Sequence, residues 1–593
     1  MATISAALAI ALEHHRAGRL ALAEEIYRRV LAVEPEQADA LQLLGAIAHQ
    51  TGRYQEALAY LARAIAVQPT VAVYHNNRGE AYRALHDEAA AVACYRQALQ
   101  LDPGCVEALN NLGACLLRQG ELEEAIACLQ QAVQRGPDYA EAHSNLGIAL
   151  RKAGHLAAAI ACYRRAVQLK PELTEPQSTL LSLLHYDEGA TPEGLAAAHA
   201  AYGQQLAALR STWPLHDNRC DPERPLRLGF VSPDLGQHPV GYFLLPVLEN
   251  LGARQCAVHC YSDREAADTV TRRLQAAAAV WRDTAALSHV ALAQQILADQ
   301  IDVLFDLAGH TSRNRLPMFA RHPAPVQITW LGYVGTTGLD AMDYLLADRH
   351  HVPAEAEEYY VERVLRLPDS YACFAPPAEA PLPGPLPASG SGRLTFASFN
   401  NPDKITRSAV AAWAEILRRL PRARLVLRYI DLDRPGRRAP LHQAFADHGV
   451  AAERVECFGA SPHDELLAAY RQVDVALDTY LYSGGLTTCE ALWMGVPVVT
   501  CPGATFASRH ALSYLSTVGL TETVAADHAQ YVDLAVALGN DLPRLATLRS
   551  TLRERMATSP LCNGPRFAQS LMALLREAWR RWCEERARHK CRG

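Results

Sequence analysis

The stretch ALNNLGACLLRQGELEEAIACLQQAVQRGP, residues 108–137, holds two runs with apolar residues at i, i+3, i+4 and i+7 and ends on a proline. That spacing predicts two amphipathic helices folded into a hairpin. The proline stops the second helix because it cannot supply the next amide hydrogen bond. The same unit recurs on either side. Proline stands at Pro35, Pro69, Pro103, Pro137 and Pro171, glycine at Gly45, Gly79, Gly113 and Gly147, and alanine at Ala23, Ala57, Ala91, Ala125 and Ala159. Tyr27, Leu61, Tyr95, Leu129 and Tyr163 hold a fourth phase. Small residues at fixed phases let the two helices of each hairpin approach closely.

A 34-residue helical period of this kind resembles the tetratricopeptide repeat. Four complete repeats span about residues 38 to 173, and a degenerate one with Ala11 at the glycine position precedes them. Hairpins like these bury their apolar faces only by stacking, so residues 1–182 are expected to form an all-α superhelix with a concave inner surface. Asn77, Asn111 and Asn145 lie two residues before successive glycines and so share one face. An amide both donates and accepts. The ladder therefore suits an extended acceptor peptide, with hydrogen bonding between helices as the structural alternative.

A helical connector, residues 183–222, leads into a different texture. Short apolar runs at 226–232, 256–262, 301–307 and 326–331 alternate with helical stretches, the rhythm of a parallel sheet with covering helices. This defines a first α/β lobe over 223–375. Residues 376–393 hold six prolines and read as a linker. A second series, LTFASF, ARLVLRYI, RVECFG, VDVALDT and PVVTC with helices between, defines a second lobe over 394–564, and 565–593 is a terminal amphipathic helix expected to pack across both. The expected fold class is an all-α tetratricopeptide superhelix followed by two doubly wound, Rossmann-like lobes that bind ligands in the crevice at their strand ends.

The net charge of −6 disfavours a generally basic nucleic-acid surface. No run of about 18 apolar residues predicts a membrane span, and the opening MATISAALAIALEHH lacks the basic start and cleavage site of a signal peptide. The chain reads as cytoplasmic, with no nucleic-acid and no membrane partner. The fifteen cysteines are scattered without paired zinc spacing, so no metal is expected.

Candidate chemistry falls in strand-end loops. SPDLGQHP, residues 232–239, places Asp234, Gln237 and His238 after the first strand. DLAGHTSRNRL offers His310 and Thr311, and WLGYVGTTG offers Gly332, Gly335, Thr336, Thr337 and Gly338, whose amides suit a sugar or phosphate. In the second lobe FNNPDKI places Asn401 and Lys404 at a strand end, where lysine can neutralise a departing pyrophosphate. LDTYLYSGGLTTCEALWMG places Gly484, Thr487 and Thr488 at a helix start suited to a diphosphate, with Glu490 in its first turn to accept ribose hydroxyls. Ser461 and His463 join the expected donor-binding set.

HYD at 185–187, SPDLGQHP, RHPAPVQITWLGYVGTTG, FNNPDKI, LDTYLYSGGLTTCEALWMGVPVVTCPG and SPLCNGPRFA together resemble the tetratricopeptide-linked protein O-GlcNAc transferases, and at least as closely the Spindly-type protein O-fucosyltransferases. The resemblance covers essentially the whole chain. It implies a two-lobed GT-B glycosyltransferase, inverting and metal-independent, with a nucleotide-sugar co-substrate and no other cofactor. The sugar, GlcNAc from UDP-GlcNAc or alternatively fucose from GDP-fucose, would pass to Ser or Thr of proteins bound along the repeats. By motif, His238 corresponds to the active-site histidine, flanked by Asp234 and Gln237, and His185 to a second one. Lys404 corresponds to the diphosphate lysine, Thr487 and Thr488 to the phosphate-binding helix start, and Glu490 to the acidic ribose ligand. Gly485, Asp403, Leu466 and Val240 depart from the animal O-GlcNAc pattern at positions that distinguish donors, which leaves nucleobase and sugar open. A reading of another class is a non-catalytic repeat scaffold with a nucleotide-binding remnant.

Overall fold

The structure, a computed structural model, describes residues 3–210, 213 and 216–590. Residues 1–2 of the expected superhelix, 211–212 and 214–215 of the connector and 591–593 of the terminal helix lie outside the described residues. Contacts divide the chain into two compact units, Met1–Pro176 and Gln177–Gly593.

In the first unit, ten described helices pair into five hairpins, from Ile4–Arg16 with Leu20–Val33 to Ala140–Lys152 with Leu156–Leu169. The second helix of each ends two residues before its proline. The glycine phase has a direct steric cause. A Cβ at Gly79 would lie 2.5 Å from the Tyr95 ring, at Gly113 2.5 Å from Leu129, at Gly45 2.8 Å from Leu61 and at Gly147 2.8 Å from Tyr163. The fourth phase packs into the space the missing side chain leaves, and Ala11 and Tyr27, both fully buried, repeat the pairing in the first hairpin.

The second unit holds two parallel sheets. The first contains β1 (Leu226–Ser232), β2 (Cys256–Ser262), β3 (Val280–Asp283), β4 (Val303–Asp306), β5 (Val326–Thr329), β6 (Tyr344–Asp348) and β7 (Arg363–Leu367), in the order β3-β2-β1-β4-β5-β6-β7. The second contains β8 (Thr395–Ser398), β9 (Arg424–Arg428), β10 (Val455–Phe458), β11 (Val475–Leu477) and β12 (Val498–Val499), in the order β10-β9-β8-β11-β12. Strand order reverses beside β1 and beside β8. Loops leaving those two strands open at a switch point, where flanking crossovers diverge and leave a crevice.

Residues 376–393 do not hang free. Leu386 and Ala388 are buried, Pro387–Ser391 forms a short helix, and the carbonyls of Leu382 and Pro383 accept hydrogen bonds from Arg471 and Arg549 of the second lobe. The terminal helix, Gly564–Lys590, leaves the second lobe and docks on the first. It packs against helix Pro239–Leu248, β5 and β7, and its buried Trp579 donates Nε1–H to the Asp221 carbonyl at 3.0 Å.

Candidate active site

The loops after β1 and β8 face one cavity of about 510 Å³, walled by both lobes. Of the expected residues, His238, Thr311, Gly332, Asn401, Lys404, Ser461, His463, Thr487 and Glu490 line it.

His238 is the N-cap of helix Pro239–Leu248, and its Nδ1 accepts from the Val240 amide at 3.3 Å. Asp234 Oδ2 lies 3.8 Å from the same nitrogen. Burial pulls the imidazole pKa down and Asp234 pushes it back, so the ring is neutral near pH 7. With Nδ1 accepting, the proton sits on Nε2. A lone pair on Nε2 requires the proton to move to Nδ1 and turn toward Asp234. Gln237 points elsewhere: its amide donates to Asp268 at 2.7 Å and its side chain to Thr269 at 3.3 Å.

Lys404 ends a tight turn at Pro402–Lys404 that Asn401 caps through Oδ1. Its Nζ donates to the Ser483 carbonyl at 3.0 Å and lies 4.0 Å from the Tyr482 ring centroid, a cation–π contact. Burial brings its pKa down to about 8, against the opposing charge of Asp478. Asp478, just past β11, shapes the glycine loop by accepting from Ser483, the Gly484 amide and Thr500, each at 2.7 Å.

Helix Leu486–Trp493 starts at Gly485 with no side-chain cap, so its first amides have no capping side chain and open at the cavity wall. Thr487 donates to Asn400 at 2.9 Å, and the buried Thr488 donates back to the Gly484 carbonyl at 2.8 Å. Glu490 is the fifth residue of this helix, just past the first-turn position expected, because the helix begins at Leu486 rather than at Thr487 or Thr488. It is buried and bonds His463 Nε2 at 2.6 Å, and that hydrogen bond raises the His463 pKa. The Tyr242 hydroxyl of the first lobe lies 3.3 Å from His463 Nδ1. Ser461 accepts from Arg428 at 3.2 Å.

His185 lies off the main cavity, on the wall of a separate pocket of about 30 Å³. His199 Nδ1 bonds the Leu195 carbonyl at 2.6 Å and so carries the proton, which makes the Tyr333 hydroxyl donate to His199 Nε2 at 2.7 Å and accept from His185 Nε2 at 3.1 Å. The pKa of His185 falls to about 3 through burial and the His199 ring. The same chain segment reaches the second lobe, where Tyr186 stacks on Tyr482 at 4.9 Å and Glu188 accepts from the Ser408 amide at 3.0 Å. His310 is a buried structural group, bonded to Ser178 and to the Thr337 carbonyl. Thr336 and Thr337, expected to face a sugar or phosphate, are instead spent on the buried Glu362 at 2.6 and 2.7 Å.

In the repeats, Asn111 donates to Asn76 at 3.1 Å and Asn145 to Asn110 at 2.8 Å, zipping neighbouring hairpins together. Each of these two amides keeps a second N–H. Both line a groove of about 570 Å³ with Arg83, Arg118, Tyr139 and Glu141, whereas Asn77 is outside that wall. Sequence reasoning missed Tyr242, Tyr371, Tyr482 and His510 in the main cavity. Tyr482 stood inside a motif already singled out, while His510 carries no local signal at all.

Helical repeats before two lobes built on parallel sheets, with a cleft between their switch points, define a GT-B-type architecture. The sequence profile of Glycosyl transferase family 41 matches residues 175–374 and 388–571, and tetratricopeptide profiles match 8–71, 72–105 and 104–172. The chain belongs to glycosyltransferase family 41. It is 38% identical over 414 residues to a Petunia hybrida protein named "Probable UDP-N-acetylglucosamine--peptide N-acetylglucosaminyltransferase SPINDLY", covering 69% of this chain and 44% of that one. An Arabidopsis thaliana relative with the same enzyme name and the designation SEC is 30% identical over 370 residues, 60% of this chain and 37% of that one. The chain thus spans less than half the length of these curated relatives. A solved Thermobaculum terrenum O-GlcNAc transferase mutant superposes with a TM-score of 0.78 at 37% identity, covering 87% of this chain and 99% of that one. Among the described residues no cluster of three or more His, Cys, Asp or Glu suits a metal, and no helix is long and apolar enough to cross a membrane.

Proposed function

We propose that this chain is an inverting, metal-independent protein O-glycosyltransferase that moves a sugar from a nucleotide sugar, UDP-GlcNAc first among them, to Ser or Thr of proteins held along the repeats. The observation that carries this reading is Lys404, held by the Ser483 carbonyl and the Tyr482 ring at the β8 switch point, beside the loop that leads into the uncapped helix start at Leu486.

Glycosyl transfer builds negative charge on the leaving diphosphate. Lys404 and the first amides of that helix would bind this charge as it forms, which is where electrostatic stabilisation accelerates most. The acceptor hydroxyl attacks the anomeric carbon from the opposite face and loses its proton to His238 Nε2, with Asp234 receiving the Nδ1–H of that tautomer. Glu490, already oriented by His463, would take the ribose hydroxyls. Val240, Leu466 and Gly485, three of the four positions that depart from the animal pattern, line the cavity, while the fourth, Asp403, is not on its wall; these departures favour GDP-fucose as the second donor to examine. The test offers UDP-GlcNAc, UDP-glucose and GDP-fucose in parallel with a protein lysate and reads intact masses. Addition of one sugar mass to proteins supports the reading; donor binding without transfer from any of them refutes it in favour of a scaffold.

The peptide role of the repeats has its own test. Replacing Asn77, Asn111 and Asn145 together by Ala should raise KM for protein acceptors about tenfold or more, the scale of one to two lost backbone hydrogen bonds. The Kd for nucleotide sugar should stay unchanged. Because two of these amides also bond neighbouring repeats, the melting temperature of the variant is recorded alongside, and equal loss of donor and acceptor binding refutes the peptide role.

A further inference from the structure

Behind the cleft wall runs a polar chain that the transfer chemistry above does not use. Asp348, the last residue of β6, is fully buried. Its Oδ1 accepts from the amides of His350 at 2.8 Å and His351 at 2.9 Å. Its Oδ2 accepts from the Tyr371 amide at 2.8 Å, from the Ser513 hydroxyl at 2.6 Å and from His351 Nδ1 at 2.9 Å. Burial pushes this carboxyl up, but His351 and the donors outweigh it and hold the pKa well below the usual carboxylate range. Asp348 is ionised, and His351 keeps its proton on Nδ1.

His351 Nε2 in turn lies 2.9 Å from Nδ1 of His510, a buried residue that lines the main cavity. Two ring nitrogens at that distance share one proton, which leaves two forms of the chain. In one, His510 Nδ1–H donates to His351 and His510 Nε2 is a bare acceptor. In the other, His351 Nε2–H donates to His510, His351 is an imidazolium against Asp348, and His510 Nε2–H is a donor. The forms differ by one proton and one charge. No described residue bonds His510 Nε2.

The groups around His510 favour the first form while no anion is present. Tyr371 stacks on it with centroids 5.6 Å apart and its hydroxyl 3.3 Å from Nδ1, with Phe506 at 5.8 Å, Tyr482 at 6.2 Å and Tyr514 at 6.4 Å. This wall is aromatic and carries no negative charge, and Asp348 is shielded behind His351. Burial first, then His351 and Lys404, hold the His510 pKa well below the imidazole range, against the weaker pull of Asp348. An anion arriving beside Lys404 reverses that balance.

We propose that Asp348, His351 and His510 form a proton-storing relay that completes the diphosphate site. As the anion of a nucleotide sugar enters, His510 Nε2 takes one proton from solvent and its Nδ1 proton passes to His351 Nε2. The relay goes from one negative charge to neutral, and His510 becomes a second donor on the leaving group beside Lys404. His510 touches the substrate; His351 and Asp348 are positioning residues that act through it. The inference rests on the nucleotide-sugar reading above.

Isothermal titration of UDP-GlcNAc and GDP-fucose at pH 6.5, in two buffers of different ionisation enthalpy, tests it. The diphosphate diester of either probe does not titrate there, and Lys404, at about 8, is already charged. The unsubstituted chain should take up close to one proton more per nucleotide sugar than His351→Gln, and its affinity should fall up to about tenfold per pH unit as pH rises from the free relay's pKa toward its ligand-bound pKa, levelling off above it. His510→Gln should lose the same uptake and serves if His351→Gln does not fold. Binding with equal proton uptake in the unsubstituted chain and both variants overturns the relay alone; absence of any nucleotide-sugar binding overturns the functional reading and the relay with it.

Discussion

Replacing Lys404 with alanine lowers sugar transfer about 100- to 1000-fold, a loss of roughly 3 to 4 kcal/mol of transition-state stabilisation, with the larger part in kcat. The charge is placed where the leaving diphosphate develops its own, and its fixed partners, the Ser483 carbonyl and the Tyr482 ring, mean that little reorganisation is needed at the moment of reaction. Steady-state kinetics on a protein acceptor check this, and near-normal kcat in the alanine chain refutes the leaving-group role. A pH limb follows from the same residue. Its pKa is lowered to about 8, so the charged form is nearly complete below pH 7, half present near 8 and lost above. Transfer should fall on the alkaline side through that range. Lys404→Arg, which stays protonated, should shift the limb upward even where its absolute rate is lower.

The second large effect is structural. Gly203 lies in helix Pro192–Leu206, and a Cβ there would sit 1.7 Å from the Gly338 carbonyl oxygen and 2.6 Å from its carbon. Gly338 has φ of +76°, a conformation that suits glycine, and a side chain on it would meet the His199 carbonyl at 2.0 Å. Both obstacles are backbone and neither can rotate aside. Gly203→Ala should therefore cost about 3 kcal/mol of stability by forcing the helix off the loop. Gly436→Ala, at a position with nothing within 4 Å, should stay within about 0.5 kcal/mol. Urea unfolding of the two variants checks the contrast, and equal midpoints refute it.

How far the sequence carries differs between the parts. The repeats were legible because one steric event, a glycine against a bulky side chain on the next helix, is printed at a fixed period. Strands β1, β2, β4 and β5 and all five of the second sheet were legible as apolar runs. Three others were not among the runs singled out: β3 reads VWRD and is only partly buried, while β6 and β7 lie in the stretch between the glycine loop and the proline-rich segment. In the cleft, Lys404, His238 and Thr487 follow strands and sit in short motifs, so position and chemistry could be read together. His510 could not be found that way, since its place on the wall depends on β6, β7 and the Ser483 loop converging from distant parts of the chain. The threonines of the glycine loop misled for the opposite reason: their partner, Glu362, is 25 residues on from Thr337 and silent in sequence.

The three residues His185, Tyr186 and Glu188 stand outside both sheets yet touch both lobes, through Tyr333 on one side and Tyr482 and Ser408 on the other. A change in the angle between the lobes has to disturb this segment's contact at Tyr333, at Tyr482 or at Ser408. Tyr482 is also the ring that confines Lys404. One aromatic ring thus carries both the connector's stacking contact and the packing of the cation, so a substitution at Tyr482 disturbs the two together.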